Sequence, residues 1–551
     1  MFLRARVAPL LAALTLAACA GEPAERPSVL LISADSLRTD RLAPWNVVDA
    51  PATPHLDRLA ARGTVYLDAW ATSPWTAPAM VSVLTGLYPP SHGIAYRDDT
   101  TPQTLPTLPR ILAGHGYRLG NFSFFSEISY FRNLGLGSPV EDLRHETVAA
   151  SFRRWLAEVP AGEPFFAWVH LLETHLPYGA TGYRATEVQV EGSPGLREAQ
   201  LRAAVPLGSV EFADGDRDVL LELYDRDVRE MDGALGEVLA ALDEHGRPDA
   251  TLVVFVADHG EELLEHGWIG HASTASFARL VPEILRVPLI VAGPGVPAGA
   301  ARHERVQQVD VVPSVLRLAG FDPPQPVDGR PLPGLFRDWL GRTGDGHELA
   351  FFDSSPGGNL TPQSRRGERL QGVTDGRCLL EAHAYPDRPE DVRTYAVADP
   401  EACGREARER LAAALDGWRR RQTAQRLAVL AAYPGAEAPA GAEVDGYAGR
   451  LEIVAPRPGA VLEWEAAGGQ VALEWTGGGG PYWLEYHLGE GLTSLRGSFQ
   501  LDQRRVVFGP VPQGFWNDLA VYSPFRVRIV DAGARERSPW VEFDVRTAAP
   551  R

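Results

Sequence analysis

Along most of the chain, short and almost continuous apolar runs alternate with segments of helical period. Pro27 to Ala34 (PSVLLISA), Phe165 to Val169, Thr251 to Ala257 (TLVVFVA) and Val287 to Ala292 (VPLIVA) predict strands buried on both faces. Pro54 to Arg62, Leu105 to Ala113, Glu146 to Glu158, Arg217 to Glu244 and Val309 to Leu318 predict helices between them. Strands alternating with helices predict an α/β sheet covered on both sides. An amphipathic, arginine-rich helix is expected from Leu411 to Leu430, followed by linker composition at Pro434 to Gly446 (PGAEAPAGAEVDG). Beyond it, LEIVAP, QVALEW, YWLEYHLG, RRVVFG and FRVRIV, set apart by Gly and Pro, predict an all-β sandwich.

In sheets of this kind ligands gather at the carboxyl ends of the strands, and Asp35 and Asp258 each follow a predicted strand directly. Ser73 to Gly86 (SPWTAPAMVSVLTG) begins like a loop and ends like a helix. Thr76 falls at the expected N-cap, with Pro78 in the first turn. A hydroxyl there faces backbone N–H groups and the positive end of the helix, where a tetrahedral oxyanion is held. Asp35, Asp258 and His259 are able to converge on a metal beside it. Taken alone, each of these residues also has a plain structural explanation as a cap or a loop residue.

The composition narrows the field. The 551 residues, 45% hydrophobic and 23% charged, suit a large α/β domain plus a smaller one. The formal charge of -18 argues against a broad nucleic-acid-binding face, and nucleic acid is not expected as a partner. All 53 residues counted as Lys+Arg are arginine, which excludes a catalytic lysine amine. Two early arginines, an apolar run from Val7 to Ala18 and small residues before Cys19 have the layout of a secretory signal, too short to span a bilayer. Leu16-Ala17-Ala18-Cys19 resembles the bacterial lipobox. That resemblance implies cleavage after residue 18, lipidation of Cys19 and a membrane-anchored exported protein. The lack of Asp after Cys19 points by the same resemblance to the outer membrane, periplasmic side or surface. Cys378 and Cys403 are the remaining cysteines. In an oxidising compartment they are able to bridge, with two buried thiols as the alternative.

The order and context of these pieces resemble the sulfatase family of the alkaline-phosphatase superfamily over roughly Ser28 to Leu415. The matching elements are SVLLISADSLRTD, TPHLDRLAARG, the segment ending in LTGLYP and SHG, HLPY at His175, the long helix with Tyr224 and Asp232, DHGEELLEHG, EILRVPLIVAGPG, VQQVDVVPSVLRLAG with DGRPL, and a late YAVADPEACGRE. The resemblance implies a sandwich with a central mostly parallel sheet over residues 27–432. A linker at 433–449 and a small all-β domain of immunoglobulin or fibronectin-III type at 450–547 complete the expected organisation. It further implies one divalent cation held by Asp35, Thr76, Asp258 and His259, and Thr76 as nucleophile. His175 and His271 become candidates for leaving-group protonation, and Arg38, His92 and His170 residues behind the ligands.

This chain departs from the sulfatase pattern in an informative way. Where that pattern has an oxidisable Cys or Ser in Cys-X-Pro-X-Arg, the chain has Thr76-Ala77-Pro78-Ala79-Met80, which cannot become formylglycine. Ser36 stands for the second opening acid, and Phe124 and Ser126 for the sulfate-clamping Lys and His. A threonine among Asp, Asp and His is similar to phosphoesterase and phosphotransferase members, because a phosphothreonine is released by attack at phosphorus without an aldehyde. The expected activity is hydrolysis or transfer of sulfate, phosphate or phosphonate esters on a small molecule, lipid headgroup or glycan, with Ca, Mg, Mn or Zn bound. The alternative is a noncatalytic lipid-anchored surface protein that binds a glycan or partner.

Overall fold

The computed structural model describes residues 26–96, 99, 101–123, 133–136, 148–179, 193–196, 211–271, 278–336, 344–358, 368–385, 389–397, 399–433, 451–468, 470–476, 482–488, 495–501, 505–508, 520, 523–531 and 536–546. Residues 1–25 with Cys19, most of the span from Tyr178 to Phe212, and Phe124 and Ser126 lie outside these. Among the described residues no helix is long and apolar enough to cross a membrane.

Seven strands form the central sheet: β1 (Ser28–Ala34), β2 (Gly63–Tyr66), β3 (Arg118–Phe122), β4 (Phe165–Leu171), β5 (Thr251–Ala257), β6 (Leu289–Ala292) and β7 (Ala300–Arg302), in the order β7-β2-β6-β5-β1-β4-β3. β1, β4 and β5 are buried along their whole length, as their unbroken apolar runs require. β6 runs antiparallel to both neighbours, and the other four pairings are parallel. The run expected from Val287 pairs only from Leu289, since the Val287 N–H is already given to the Ala69 carbonyl and proline has no N–H to give.

The expected helices form as α1 (Pro54–Arg62), α2 (Thr76–Thr85), α3 (Leu108–Gly114), α4 (Val148–Ala157), α5 (Asp216–Glu244), α6 (Val311–Leu318) and α7 (Arg405–Ala432). Thr76 corrects one expectation. It is the first helical residue, and the cap position belongs to extended Trp75, with no side-chain capping bond.

A second sheet, β8 (Ala350–Ser354), β9 (Arg369–Thr374), β10 (Cys378–Ala384) and β11 (Asp391–Ala396), is antiparallel throughout. Leu411, Leu415 and Trp418 of α7 pack on it, with Trp418 stacked on Phe351 at 5.2 Å. The Cys378 and Cys403 sulfurs are bonded, 2.04 Å apart. From residue 451 onward, short strands form two further sheets around Ile453, Trp475, Leu484, Val527, Ile529 and Phe543, a core distinct from that of the central sheet.

Candidate active site

The register of three parallel strands brings the site together. Ala34 at the end of β1 pairs with Leu171 of β4 on one side and Ala257 of β5 on the other. The ladder continues one step beyond, with Asp35 N–H donating to Leu171 O at 2.9 Å and Asp258 N–H to Ala34 O at 3.3 Å. Asp35 and Asp258 therefore leave adjacent strands side by side at the carboxyl edge. Ser36 then turns with φ +58°, a left-handed conformation that costs a non-glycine residue energy and that clusters at functional sites. It is held there by its N–H on Asp258 Oδ1 at 3.1 Å, its hydroxyl on Asp35 Oδ1 at 2.9 Å, and the Tyr224 hydroxyl on its carbonyl at 2.7 Å.

Acceptors converge at this edge. His259 Nδ1 lies 2.8 Å from Gly260 O, and because a carbonyl only accepts, the proton sits on Nδ1 and the lone pair on Nε2. Burial lowers the His259 pKa, which keeps the ring neutral. That Nε2 lone pair lies 3.4 Å from Asp258 Oδ2, 3.8 Å from Asp35 Oδ1 and 3.4 Å from Thr76 Oγ1. Asp258 Oδ2 is buried with no hydrogen-bond partner among the described residues. Ligand atoms of Asp35, His170 and Asp258 all lie within 4.8 Å of one another. Asp258 Oδ2 and His259 Nε2, two buried acceptors 3.4 Å apart, repel, and a cation between them relieves that repulsion. The donor set of carboxylates and imidazole without thiolate fits a hard or borderline divalent ion.

The ionisation pattern follows from the crowding. Burial, then the neighbouring Asp35 charge, push the Asp258 carboxyl up to about 6. Asp35 goes the other way: burial alone would raise it, but His175 and the hydrogen-bonded His170 hold it well below the usual carboxylate range. Gly260 lets the turn after β5 close, since a Cβ there would sit 2.1 Å from Glu283 O. Asp35, Asp258 and His259 are fully buried, and Thr76 is buried but for 7% of its surface.

The two histidines expected to serve the leaving group flank this cluster. His271 lies 4.2 Å from the His259 ring and 5.1 Å from that of His175, centroid to centroid. Its Nδ1 is 3.0 Å from Glu261 Oε1, and His175 Nδ1 donates to Leu176 O at 2.5 Å. Of the residues expected behind the ligands, His170 bonds Asp35 Oδ2 at 3.3 Å and Ser33 Oγ at 2.7 Å, close enough to count among the possible ligands themselves. Arg38 is neutralised by Asp40 and Glu265 and donates to Glu261 O at 3.0 Å, bracing the turn after β5. His92 braces the start of α2 through Pro78 O at 3.2 Å. Glu261, Ser33 and Tyr224 were not singled out for the site by their sequence context. Of these, Glu261 lies in the DHGE segment, Tyr224 on the long helix and Ser33 in SVLLISADSLRTD, all named in the resemblance without a role.

The fold is that of the α/β sulfatases and phosphonate monoester hydrolases. The Sulfatase family profile matches residues 27–321, more than half of the chain, and the chain belongs to the sulfatase family. It is similar to the low-salt glycan biosynthesis sulfotransferase Agl7 of Haloferax volcanii, 28% identical over 53% of this chain and 61% of that protein, so the match leaves over a third of that relative uncovered. It also resembles the multifunctional alkaline phosphatase superfamily protein PehA of Trinickia caryophylli, 26% identical over 65% of this chain and 86% of that one. Among solved structures, the phosphonate monoester hydrolase of Silicibacter pomeroyi shares the fold with a TM-score of 0.56 at 20% identity, covering 73% of this chain and 96% of that one.

Proposed function

We propose that the chain is a metal-dependent hydrolase or transferase of sulfate or phosphate and phosphonate esters, with Thr76 as nucleophile. The observation that carries this is the Thr76 hydroxyl at the first turn of a buried helix, 3.4 Å from the lone-pair nitrogen of His259 and beside the paired acids. Asp35, Asp258, His259 and Thr76, with His170 against Asp35, would hold one divalent ion of Ca, Mg, Mn or Zn, which supplies charge to lower the hydroxyl pKa and polarise a non-bridging oxygen.

Thr76 Oγ, its hydroxyl proton released to solvent, attacks the phosphorus or sulfur; the bond to the leaving oxygen breaks, and protonated His175 or His271 gives its proton to that oxygen. The N–H groups that open α2 face the developing oxyanion. Water, or an acceptor hydroxyl in transfer, then attacks the centre and returns the oxygen to Thr76. Phosphorus suits this chain better than sulfur, because attack at phosphorus frees a threonine adduct without an aldehyde. The substrate is a small-molecule, lipid-headgroup or glycan ester, met by a protein anchored to the membrane through Cys19.

Thr76→Ala assayed against aryl phosphates, phosphodiesters, phosphonates and sulfates tests the assignment. Turnover is expected to fall by at least about 10³-fold on every active substrate; unchanged turnover ends the nucleophile role. His271→Gln is expected to slow esters of poor leaving groups by about 10²-fold and to spare activated aryl esters. An equal loss across leaving groups would remove His271 from proton transfer.

A further inference from the structure

Immediately before α6, Gln308 is 1% exposed and its side-chain amide is committed at both ends. Its Oε1 accepts from Thr72 N–H at 2.9 Å and from the Thr72 hydroxyl at 3.2 Å. Its Nε2 donates to Ala257 O at 2.9 Å and to Asp258 O at 2.7 Å. Thr72 begins the short loop that leads into Thr76, and Ala257–Asp258 is the end of β5 that carries Asp258 and His259. One amide therefore ties the backbone of the nucleophile loop to the backbone of the acid-bearing turn. The Thr72 carbonyl is held from the other side by Asp353 N–H at 3.0 Å, so the loop is pinned in two directions.

We propose that Gln308 is a positioning residue that sets the separation between the Thr76 hydroxyl and the Asp258–His259 pair. It touches neither substrate nor reacting atoms and acts through two backbone segments. The proposal rests on the Thr76 reading for its catalytic consequence, while its structural content stands without it. A buried amide with four filled bonds to two loops holds their spacing more tightly than apolar packing, because each bond has a fixed length and direction. A displacement of about 1 Å between reacting groups costs as much as about 10²-fold in rate.

Gln308→Met keeps the volume and removes all four bonds. In the full-length protein, well below its melting temperature, kcat is expected to fall about 10- to 100-fold with KM within about threefold, and Mn²⁺ or Zn²⁺ affinity measured by calorimetry to weaken about 10-fold. Thr72→Val removes one of the four bonds and should give a smaller loss in the same direction. Combined with Gln308→Met it should add less than its own effect, since both break the same link. A lowered melting temperature with wild-type kcat and metal affinity in the folded protein would overturn the proposal and leave Gln308 a packing residue. Thr76→Ala run in parallel separates the two ideas: if it keeps full turnover the nucleophile reading fails, and metal affinity in Gln308→Met still decides the positioning role.

Discussion

Strand β5 has a cavity at its start and the acid–histidine cluster just past its end. Thr251 and Val253 near its start line a cavity of about 420 Å³ with Arg58, Arg62, Asp243, Asp249 and the turn at Gly293. Asp258 and His259 follow its other end. The amino-edge cavity has the volume of a ligand site, yet its charges are matched and wet: Arg62 lies 4.0 Å from Asp243 and 3.6 Å from Asp249, and Asp249 is 99% exposed. At the carboxyl edge the charges are buried and mismatched, with acceptor facing acceptor and Asp258 Oδ2 without a donor. Concavity is cheap to form at the end of any sheet, whereas uncompensated buried charge persists only where something repays it. The difference supports the proposed placement of chemistry at the carboxyl edge, where stability would be spent on function.

The most severe way to break this contrast is Thr76→Ala, whose expected loss of at least about 10³-fold places the chemistry at the carboxyl edge. Asp258→Asn sharpens it from the side of stability. Turnover is expected to drop by about 10²-fold or more, and divalent-metal affinity with it. The metal-free protein should nevertheless melt several degrees higher at pH 7 than the metal-free parent, because the buried charge is gone while an amide oxygen still accepts from Ser36 and His259 N–H. The sign with pH follows from the raised pKa. Between the ordinary value of 3.8 and about 6 the folded protein holds a proton on Asp258 that the unfolded chain has released, so stability falls as pH rises through that window. Asp35, held low in the fold, is ionised in both states over most of the window and adds little slope. Thermal melts of metal-free parent and variant from pH 4 to 8 should converge at the acid end. A variant less stable than the parent at pH 7 would mean that Asp258 is compensated without a cation.

How much of this contrast was legible in the residues follows from its physical origin. Burial on both faces writes itself into unbroken apolar runs, so β1, β4 and β5 were predicted, and with them the positions of Asp35 and Asp258 just past two of the ends. Strand direction has no such signature, and β6, read as one more strand, runs antiparallel to both neighbours. β2 and β3 are short and carry Gly63, Gly120 and Asn121, which break the run, and neither was anticipated. Of the second sheet, only the end of its last strand, Tyr395 and Ala396 within YAVADPEACGRE, drew attention in the sequence. Within the site, Thr76 and the DHGE segment drew attention by their positions after predicted elements, while their roles came only from the family resemblance. The left-handed Ser36, the tautomer of His259 and the bridge through Gln308 depend on groups far apart in the chain and left no local trace. His170 shows the same limit: it was expected behind the ligands, and only the pairing of Ser33 with His170 in register brings its ring onto Asp35.

The smallest expected effect bears most directly on the amino-edge cavity. If that hollow is a by-product of sheet geometry, Arg62→Ala should leave kcat and KM within about twofold and change stability by less than about 1 kcal/mol, the range of exposed ion pairs. Arg62 is 46% exposed and its bonds are long, at 3.5 Å to Pro248 O and 3.6 Å to Asp249, so water replaces them readily. Asp249→Ala should then be as quiet, and combining the two should add no more than the sum. The seven residues of β5 put about 23 Å of rigid, fully buried strand between the two edges, at about 3.3 Å per residue. A loss of turnover beyond about tenfold in Arg62→Ala, with melting temperature unchanged, would therefore require the cavity to bind something the reaction needs. Matched surface charge would then no longer distinguish an idle hollow from a working one.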